Sequence, residues 1–337
     1  MLNLLTDVPG LVVGHATDLA LGSGVTAIIF DEPATASVSV LGGAPGSRDT
    51  TMLEPEMTIG HVDAICLSGG SCFGLDAAGG VQAWFREHHR GTLFAGTHVP
   101  IVPQAICFDL TNGGNKDWGR FSPYREMGFA AAAAASGGTF ALGTVGGGTG
   151  ATTPVVKGGL GSASAETRGG HRLAALTIAN SVGNPLVGSG PHFWAAPFEQ
   201  GDEFGALGFP PFPLAPDALK PRVKGLTAED DAGEPATATT IGLVVTDAPL
   251  TKAQAKRLAI AAQDGLARAI HTAHLPFDGD TMFAASTGKG MPVDAQDLTL
   301  LCHAANMVVA RAIARGVYEA TALPYAGALP AWRSLFR

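Results

Sequence analysis

The sequence predicts an α/β fold, because short apolar strands alternate along the chain with segments of helical apolar spacing. Val25–Phe30 and Val62–Leu67 are runs of β-branched and apolar residues typical of buried strands. A glycine-rich turn and a helical pattern follow the second run. The same order of strand and helix occurs again later in the chain. Ile241–Thr246 is a predicted strand, and the predicted helix after it begins with a capping box formed by Thr251 and Gln254. Alternating strands and helices indicate a layered α/β architecture.

Further elements follow from the same kinds of pattern. An alanine run favours a packing helix, because alanine is the best helix former. The many glycines between residues 144 and 164 predict a largely irregular segment. The predicted elements are a helix at Gly128–Ser136, a strand at Leu173–Ala179, a strand at Thr281–Ser286 and a long helix at about Asp294–Tyr318.

The composition of the 337-residue chain argues against several classes of protein. A net charge of −8 argues against a nucleic-acid partner, which requires a basic face. No apolar run approaches the roughly 18 residues of a membrane span, and the N-terminus lacks a signal-peptide pattern. We therefore expect a cytoplasmic protein without a membrane partner. The four cysteines form no CxxC pair, which favours buried free thiols over a metal site.

Residues 199–238 change in character and end beside a hydroxyl residue. Between 199 and 234 there are eight acidic residues against three basic ones, which predicts an exposed, irregular linker. Ala238 and Thr239 follow, at the entrance to the predicted strand. One interpretation is a loop that simply enters a strand. The other is cleavage before Thr239, which would give this residue a free α-amine with a pKa near 8, suited to act as base for its own hydroxyl.

Three polar residues near predicted strand ends could serve such a nucleophile. Asp278 and Asp280 flank a glycine, and two carboxylates at this spacing could hold the protons of an ammonium and a hydroxyl. Asn180 follows a predicted strand and could donate an amide N–H to an oxyanion. Asp-Gly and Asn are also common in turns, so each residue has a purely structural interpretation as well.

Two other glycine-rich motifs suggest different chemistry. Gly146, Gly148 and Ala151 satisfy a loose dinucleotide-binding pattern, but no helix start follows them. Close packing of this backbone against another strand or a substrate is the better interpretation. Ser71 lies in a turn that approaches a nucleophile elbow, and Asp76 follows it, so a conventional serine hydrolase stays open.

Several motifs, taken in order over nearly the whole chain, resemble those of one family. They are LTDVPG at 5–10, CLSGGSCFGLDAAGGV at 66–81, VPIVPQAICFDL at 99–110, VGGGTG at 145–150, KGGLGSAS at 157–164, TTIGLVVTDAPL at 239–250 and DGDTMFAAST at 278–287. In this combination the sequence resembles the DmpA-type S58 peptidases. These include L-aminopeptidase/D-esterases, β-aminopeptidases and, more distantly, nylon-oligomer hydrolases.

The resemblance implies a four-layer α/β/β/α sandwich and a precursor that cleaves itself, with no metal or organic cofactor. The cut would fall between Ala238 and Thr239, and would divide a single 1–337 domain into a 1–238 α chain and a 239–337 β chain. Ala238 departs from the family, whose members more often have Asn or Gly at this position. Homo-oligomers, often tetramers, are typical of the family.

The resemblance also implies a role for each candidate residue. Thr239 matches the family's nucleophile, Asn180 its oxyanion-hole asparagine, and Asp278 and Asp280 the residues that hydrogen-bond the nucleophile. The expected activity is that of an aminopeptidase acting on small N-terminal residues of peptides, amides or β-peptides. An aspartate pair with a threonine nucleophile also matches the nylon-hydrolase branch. A Ser71 hydrolase and an unprocessed binding protein remain as alternatives.

Overall fold

The computed structural model describes residues 1–225 and 237–337. The strands are β1 (Leu11–Asp18), β2 (Ser23–Val40), β3 (Ser47–Arg48), β4 (His61–Ser68), β5 (Leu93–Phe94), β6 (Thr97–His98), β7 (Gln104–Ile106), β8 (Gly159–Glu166), β9 (Arg172–Ala179), β10 (Ile241–Thr246) and β11 (Thr281–Ser286). The helices are α1 (Ser71–Gly74), α2 (Ala77–Glu87), α3 (Tyr124–Ala133), α4 (Lys252–Ala269), α5 (Ala295–Tyr318) and α6 (Trp332–Phe336). Short 3₁₀ turns lie at Leu5–Asp7, Thr51–Leu53, Gly146–Gly148, Ala196–Phe198 and Pro216–Leu219.

One long strand organises the main sheet. β2 is 18 residues long and has an irregularity in its pairing between Ile29 and Ala34. Before this point it pairs with β1 and β4, and its last part pairs with β11. The strand order is β3-β7-β4-β2-β11-β10-β9-β8, with β1 also paired to β2. β2 therefore belongs to both halves of the sheet.

Three apolar cores separate the layers of the fold. The central core contains side chains from both halves of the sheet, including β4 and β10. A second core lies between β8–β11 and helices α4 and α5, and a third between β2, β4 and helices α2 and α3. β9 is buried on both faces, because Leu176 and Ile178 belong to the central core whereas Leu173 and Ala175 belong to the second. The layer order is α/β/β/α, as the family resemblance implied.

Most of the predicted elements are confirmed. Ile241–Thr246 and Thr281–Ser286 are strands with the predicted bounds. Thr251 and Gln254 form the predicted capping box of α4. The long predicted helix is α5, for which the Asp294 side chain accepts the first backbone N–H groups.

The prediction of a largely irregular segment over 144–164 is wrong for its last third, because Gly159–Glu166 forms β8. Glycine weakens an isolated strand, but here the glycines allow helix α5 to pack closely on the sheet. A Cβ added at Gly161 would lie 1.8 Å from the carbonyl oxygen of Ala312. The close-packing interpretation of the earlier glycines holds as well, since a Cβ at Gly148 would lie 2.2 Å from Leu160 N.

The predicted exposed linker at 199–238 is only partly exposed. Phe204 is buried and the Glu203 side chain is only 6% exposed, with its Oε1 2.6 Å from Arg311 Nε on helix α5. Composition indicated a solvated stretch, but this distant arginine compensates the buried carboxylate. Ala238 is also buried, and residues 226–236 of the linker lie outside the described part of the chain.

The four cysteines do not all follow the expectation of buried thiols. Cys66 and Cys107 are buried, and burial raises the pKa of both thiols, so they are unreactive as nucleophiles. Cys72 is exposed and Cys302 is half-buried. Cys72 is exposed because it lies in the short helix α1 at the surface rather than in a buried strand.

Helix α5 is long and apolar enough to cross a membrane when it is judged by length and composition alone. In its most apolar window, however, 61% is buried inside the protein. It packs against β8, β9 and α4. These contacts are those of a core helix.

Candidate active site

Three strand ends meet at the candidate site. β10 is antiparallel to β9 and parallel to β11, so the end of β9 lies beside the start of β10, and the start of β11 lies on the other side of β10. Asn180 directly follows β9, Thr239 precedes β10, and Asp278 and Asp280 precede β11. All four residues are buried. The sheet topology thus brings together the four candidate residues, which are far apart in the sequence.

Two hydrogen-bond donors converge on the carbonyl oxygen of Ala238. The Thr239 hydroxyl donates to it at 2.6 Å, and the backbone N–H of Gly279 donates to it at 3.0 Å. The Thr239 backbone N–H donates to the carbonyl oxygen of Asn180 at 2.8 Å, which fixes the peptide unit between Ala238 and Thr239. A hydroxyl therefore lies against a peptide carbonyl that a backbone donor already polarises.

The Asp280 carboxylate is held by backbone donors. Its Oδ1 accepts the N–H of Thr240 at 2.9 Å, and its Oδ2 accepts the N–H of His274 at 3.0 Å. The His274 ring Nδ1 lies 2.9 Å from the same Oδ2, a contact that becomes an ion pair when the imidazole is protonated. Two charge-assisted hydrogen bonds with backbone N–H groups fix this carboxylate beside Thr239 and Thr240.

The Asp278 carboxyl group is in a different state from Asp280. Its Oδ1 is buried and has no hydrogen-bond partner within the described part of the chain. Burial, together with the nearby Asp280 carboxylate, raises the pKa of Asp278 to about 9. At neutral pH the Asp278 carboxyl group is therefore protonated.

The glycine between the two aspartates is required by space. A Cβ added at Gly279 would lie 2.6 Å from Thr239 Oγ1 and 2.8 Å from the carbonyl oxygen of Ala44. The backbone of Gly279 can approach the hydroxyl only because it has no side chain. This approach also brings the Gly279 N–H to the carbonyl of Ala238.

The Asn180 carboxamide is fixed by residues from three other segments. Its Oδ1 accepts the backbone N–H of Thr152 at 2.9 Å and the Lys224 ammonium at 3.2 Å. Its Nδ2 donates to the carbonyl oxygen of Phe108 at 2.9 Å. In this arrangement the side chain does not donate to the Ala238 carbonyl, and one N–H of Nδ2 is left for another acceptor.

Two cavities of about 490 and 420 Å³ open beside this asparagine. Thr152 and Lys224 line both of them. Phe108 and Thr237 line the second cavity only, so that cavity adjoins both the Asn180 contact and the residue two before Thr239. A small acyl or amine group of a substrate would fit in this volume.

Sequence reasoning missed three contributors to the site: His274, the Gly279 N–H and Lys224. Lys224 lay within the predicted exposed linker, where nothing in the pattern distinguished it from the neighbouring Lys220 and Arg222. His274 comes six residues before Asp280 without a periodic pattern. Only for Gly279 was a signal present, because the Asp-Gly-Asp triplet was already singled out.

The surroundings of Ser71 differ from those of Thr239. Ser71 begins α1 with a φ of 52°, a strained value for a non-glycine residue. Within the described part of the chain its hydroxyl makes no hydrogen bond with a histidine, and Asp76 is contacted by Ser122 at the surface. The buried acid nearby, Asp109, accepts from the Ser23 hydroxyl at 2.6 Å and from the Gly70 N–H at 2.7 Å.

The glycine-rich motif at 146–151 does not have the structure that a dinucleotide-binding turn requires. Gly146–Gly148 forms a 3₁₀ turn rather than the start of a helix. Among the described residues there is no group of three or more His, Cys, Asp or Glu side chains placed to hold a metal ion.

Comparison with known proteins supports a relation to peptidases. The model of peptidase family S58 matches residues 3–328. The uncharacterized aminopeptidase Rv1333 of Mycobacterium tuberculosis is 39% identical over 354 aligned residues, which cover 99% of this chain and 98% of the relative. The 6-aminohexanoate-oligomer endohydrolase of Kocuria sp. is 28% identical, over 84% of this chain and 74% of the relative.

Solved structures support the fold. A β-aminopeptidase from Burkholderia sp. superimposes with a TM-score of 0.70 at 25% identity, covering 98% of this chain and 90% of its own. The L-aminopeptidase D-Ala-esterase/amidase of Ochrobactrum anthropi gives a TM-score of 0.73 at 21% identity, with 99% and 92% coverage. The latter is described as a variant of the Ntn hydrolase fold, which agrees with the α/β/β/α layers found here.

Proposed function

The chain belongs to peptidase family S58, whose model spans residues 3–328, and from this premise we propose that it is a self-processing amide hydrolase with Thr239 as nucleophile. The observation that carries the proposal is the convergence of the Thr239 hydroxyl and the Gly279 N–H on the Ala238 carbonyl oxygen. One group is suited to attack this carbonyl and the other to stabilise the oxyanion that forms.

Self-cleavage proceeds in two steps. The Thr239 oxygen attacks the Ala238 carbonyl carbon, and the C–N bond to Thr239 breaks, so that the acyl group moves from nitrogen to oxygen. The nitrogen takes up a proton and becomes the free α-amine. Water then hydrolyses the ester, which yields a carboxylate on Ala238 and restores the Thr239 hydroxyl.

The mature enzyme uses the same groups on a substrate amide. The Thr239 α-amine takes the proton of its own hydroxyl and returns it to the leaving amine. The substrate carbonyl oxygen lies near the place of the Ala238 oxygen, between the Gly279 N–H and the N–H of Asn180 that Phe108 leaves free, and both donors stabilise the oxyanion. Loss of one such donor typically reduces the rate by about 10²–10³-fold. The Asp278–Asp280 pair holds the ammonium and hydroxyl of Thr239.

We propose small peptides and amides as substrates, with an aminopeptidase as the first candidate activity. The 39% identical relative is named as an aminopeptidase. The second candidate is the hydrolysis of 6-aminohexanoate-type oligomers, because a 28% identical relative is named for that activity. Screening of amino-acid amides, short peptides and 6-aminohexanoate oligomers on one preparation separates the two. A homo-oligomer is proposed from the family resemblance.

The direct test is Thr239→Ala. This variant is expected to remain a single 34.2 kDa chain and to lose amidase activity, because it lacks the only atom that makes both attacks. Thr239→Ser, which keeps a hydroxyl, is the matched control and is expected to be processed. Cleavage of Thr239→Ala at the same bond would overturn the proposal. A wild-type chain that stays uncut but has amidase activity would favour a Ser71 hydrolase. A wild-type chain that stays uncut and is inactive would favour a binding protein.

A further inference from the structure

Lys224 lies where the two cavities meet the Asn180 side chain. Its ammonium donates to Asn180 Oδ1 at 3.2 Å and to the carbonyl oxygen of Thr152 at 2.8 Å. Its backbone N–H donates to the carbonyl oxygen of Val182 at 2.8 Å. The lysine is thus fixed at both its backbone and its side-chain end. The mechanism above assigns it no task.

We propose that Lys224 is a positioning residue, which sets the orientation of the Asn180 carboxamide so that an N–H faces the substrate oxyanion. The inference rests on the proposed function, because it concerns the same site. Lys224 is not one of the four candidate residues that the sequence motifs indicate, which are Asn180, Thr239, Asp278 and Asp280.

The groups that face the two ends of the carboxamide determine its orientation. Oδ1 faces two donors, the Lys224 ammonium and the Thr152 N–H, whereas Nδ2 faces an acceptor, the Phe108 carbonyl. A carboxamide rotated by half a turn would place its NH₂ against two donors and its oxygen against a carbonyl. Lys224 supplies the charged member of this set and therefore contributes most to the preference.

The position of the ammonium indicates a functional rather than a structural role. The side chain lines both cavities, yet its ammonium is surrounded by protein, and this burial lowers the pKa of Lys224 to about 8. A cation placed in such surroundings costs free energy unless the protein compensates it. Cys107, Asp278 and Asp109 all interact electrostatically with the ammonium, and Asp278 belongs to the site itself. Within the described residues, the ammonium has no contact with Thr239, so it acts through Asn180.

The first test is a double-mutant cycle on amidase activity. Lys224→Met is expected to lower kcat by about 10-fold or more with little change in KM, because it leaves Asn180 free to rotate. In an Asn180→Ala background the same change is expected to have almost no further effect. Lys224→Arg, which keeps a cation, is expected to recover part of the activity. If Lys224→Met slows processing, the same cycle is measured on the disappearance of the uncut chain.

Lys252→Met is the matched control for loss of an ammonium. Lys252 donates to two backbone carbonyls, those of Met52 and Met57, and has no contact with the site. It is expected to leave kcat unchanged in either background. Equal losses from Lys224→Met with and without Asn180 would overturn the proposal, as would unchanged activity of Lys224→Met.

A second readout does not depend on activity. In an uncut Thr239→Ala chain, the Asn180 side-chain amide is observed by ¹⁵N NMR or in a crystal structure. Adding Lys224→Met is expected to shift the amide resonances or rotate the carboxamide, whereas Lys252→Met is expected to leave them unchanged. An unchanged Asn180 in folded Lys224→Met protein contradicts the positioning role. If wild type has no amidase activity, the proposed function fails, and this measurement still decides what Lys224 does to Asn180.

Discussion

Ser71 and Thr239 both place a hydroxyl at the end of a buried strand, but their surroundings differ. Ser71 follows β4 in a surface turn, and the buried acid beside that turn, Asp109, is already engaged by Ser23 and Gly70. Thr239 precedes β10, is buried, and lies against a peptide carbonyl with two carboxyl groups at the neighbouring strand end. A hydroxyl at a strand end therefore becomes a candidate nucleophile through the groups that converge on it.

Among substitutions around Thr239, Asp280→Asn is expected to have the largest effect on processing and amidase activity. Both oxygens of Asp280 accept backbone N–H groups, and an asparagine would turn an NH₂ towards one of these donors. We expect processing and amidase activity to fall by about 10³-fold, since a buried donor loses its acceptor and the ammonium loses its counter-charge. Processing is followed by denaturing mass spectrometry over time, with Asp76→Asn at the Ser71 turn as control. Processing at the wild-type rate would contradict the role given to Asp280.

Gly279→Ala is expected to have the next largest effect. The new methyl group would lie 2.6 Å from Thr239 Oγ1, so either the hydroxyl or the backbone must move. A displacement of about 1 Å typically reduces the rate by about 10²-fold. The Gly60→Ala variant is the control, because a Cβ there meets nothing within 4 Å. If Gly279→Ala and Gly60→Ala cleave themselves equally fast, the close approach has no catalytic meaning.

The raised pKa of Asp278 predicts a pH-dependent stability. In the unfolded chain an aspartate has a pKa of about 3.9, against about 9 in the fold, so the folded state binds the proton more tightly. The stability that this proton contributes is complete below about pH 4 and is progressively lost as the pH rises to about 9. In an uncut Thr239→Ala background, the Tm should therefore fall more steeply between pH 5 and pH 9, roughly, than that of the same chain with Asp278→Asn. Parallel Tm curves would show that Asp278 is not held neutral.

The smallest effect on amidase activity is expected for a substitution of Ser71. Ser71→Ala removes a hydroxyl that has no histidine partner in the described part of the chain, and we expect amidase activity to stay within about twofold of wild type. The residue has a φ of 52°, so a modest change in Tm is expected, and it is measured separately. Loss of activity in a folded, processed Ser71→Ala protein would reverse the comparison between the two hydroxyls.

The sequence predicted the strands and the four candidate residues because both are encoded locally. The apolar runs at Ile241–Thr246 and Thr281–Ser286 mark their own bounds, and the motifs beside them mark Thr239 and Asp278. Lys224 was not predictable, because its role depends on a contact with Asn180 across 44 residues of sequence. Strand β8 was missed for a related reason. Its glycines allow helix α5 to pack closely on the sheet, and this contact with a distant helix cannot be recognised from the local sequence.

Self-cleavage before Thr239 is measured by the intact mass of the purified protein under denaturing conditions. We expect two species, of about 24 and about 10 kDa, from the 34.2 kDa chain, with the smaller beginning at Thr239 by N-terminal sequencing. A single 34.2 kDa species after prolonged incubation would contradict self-cleavage.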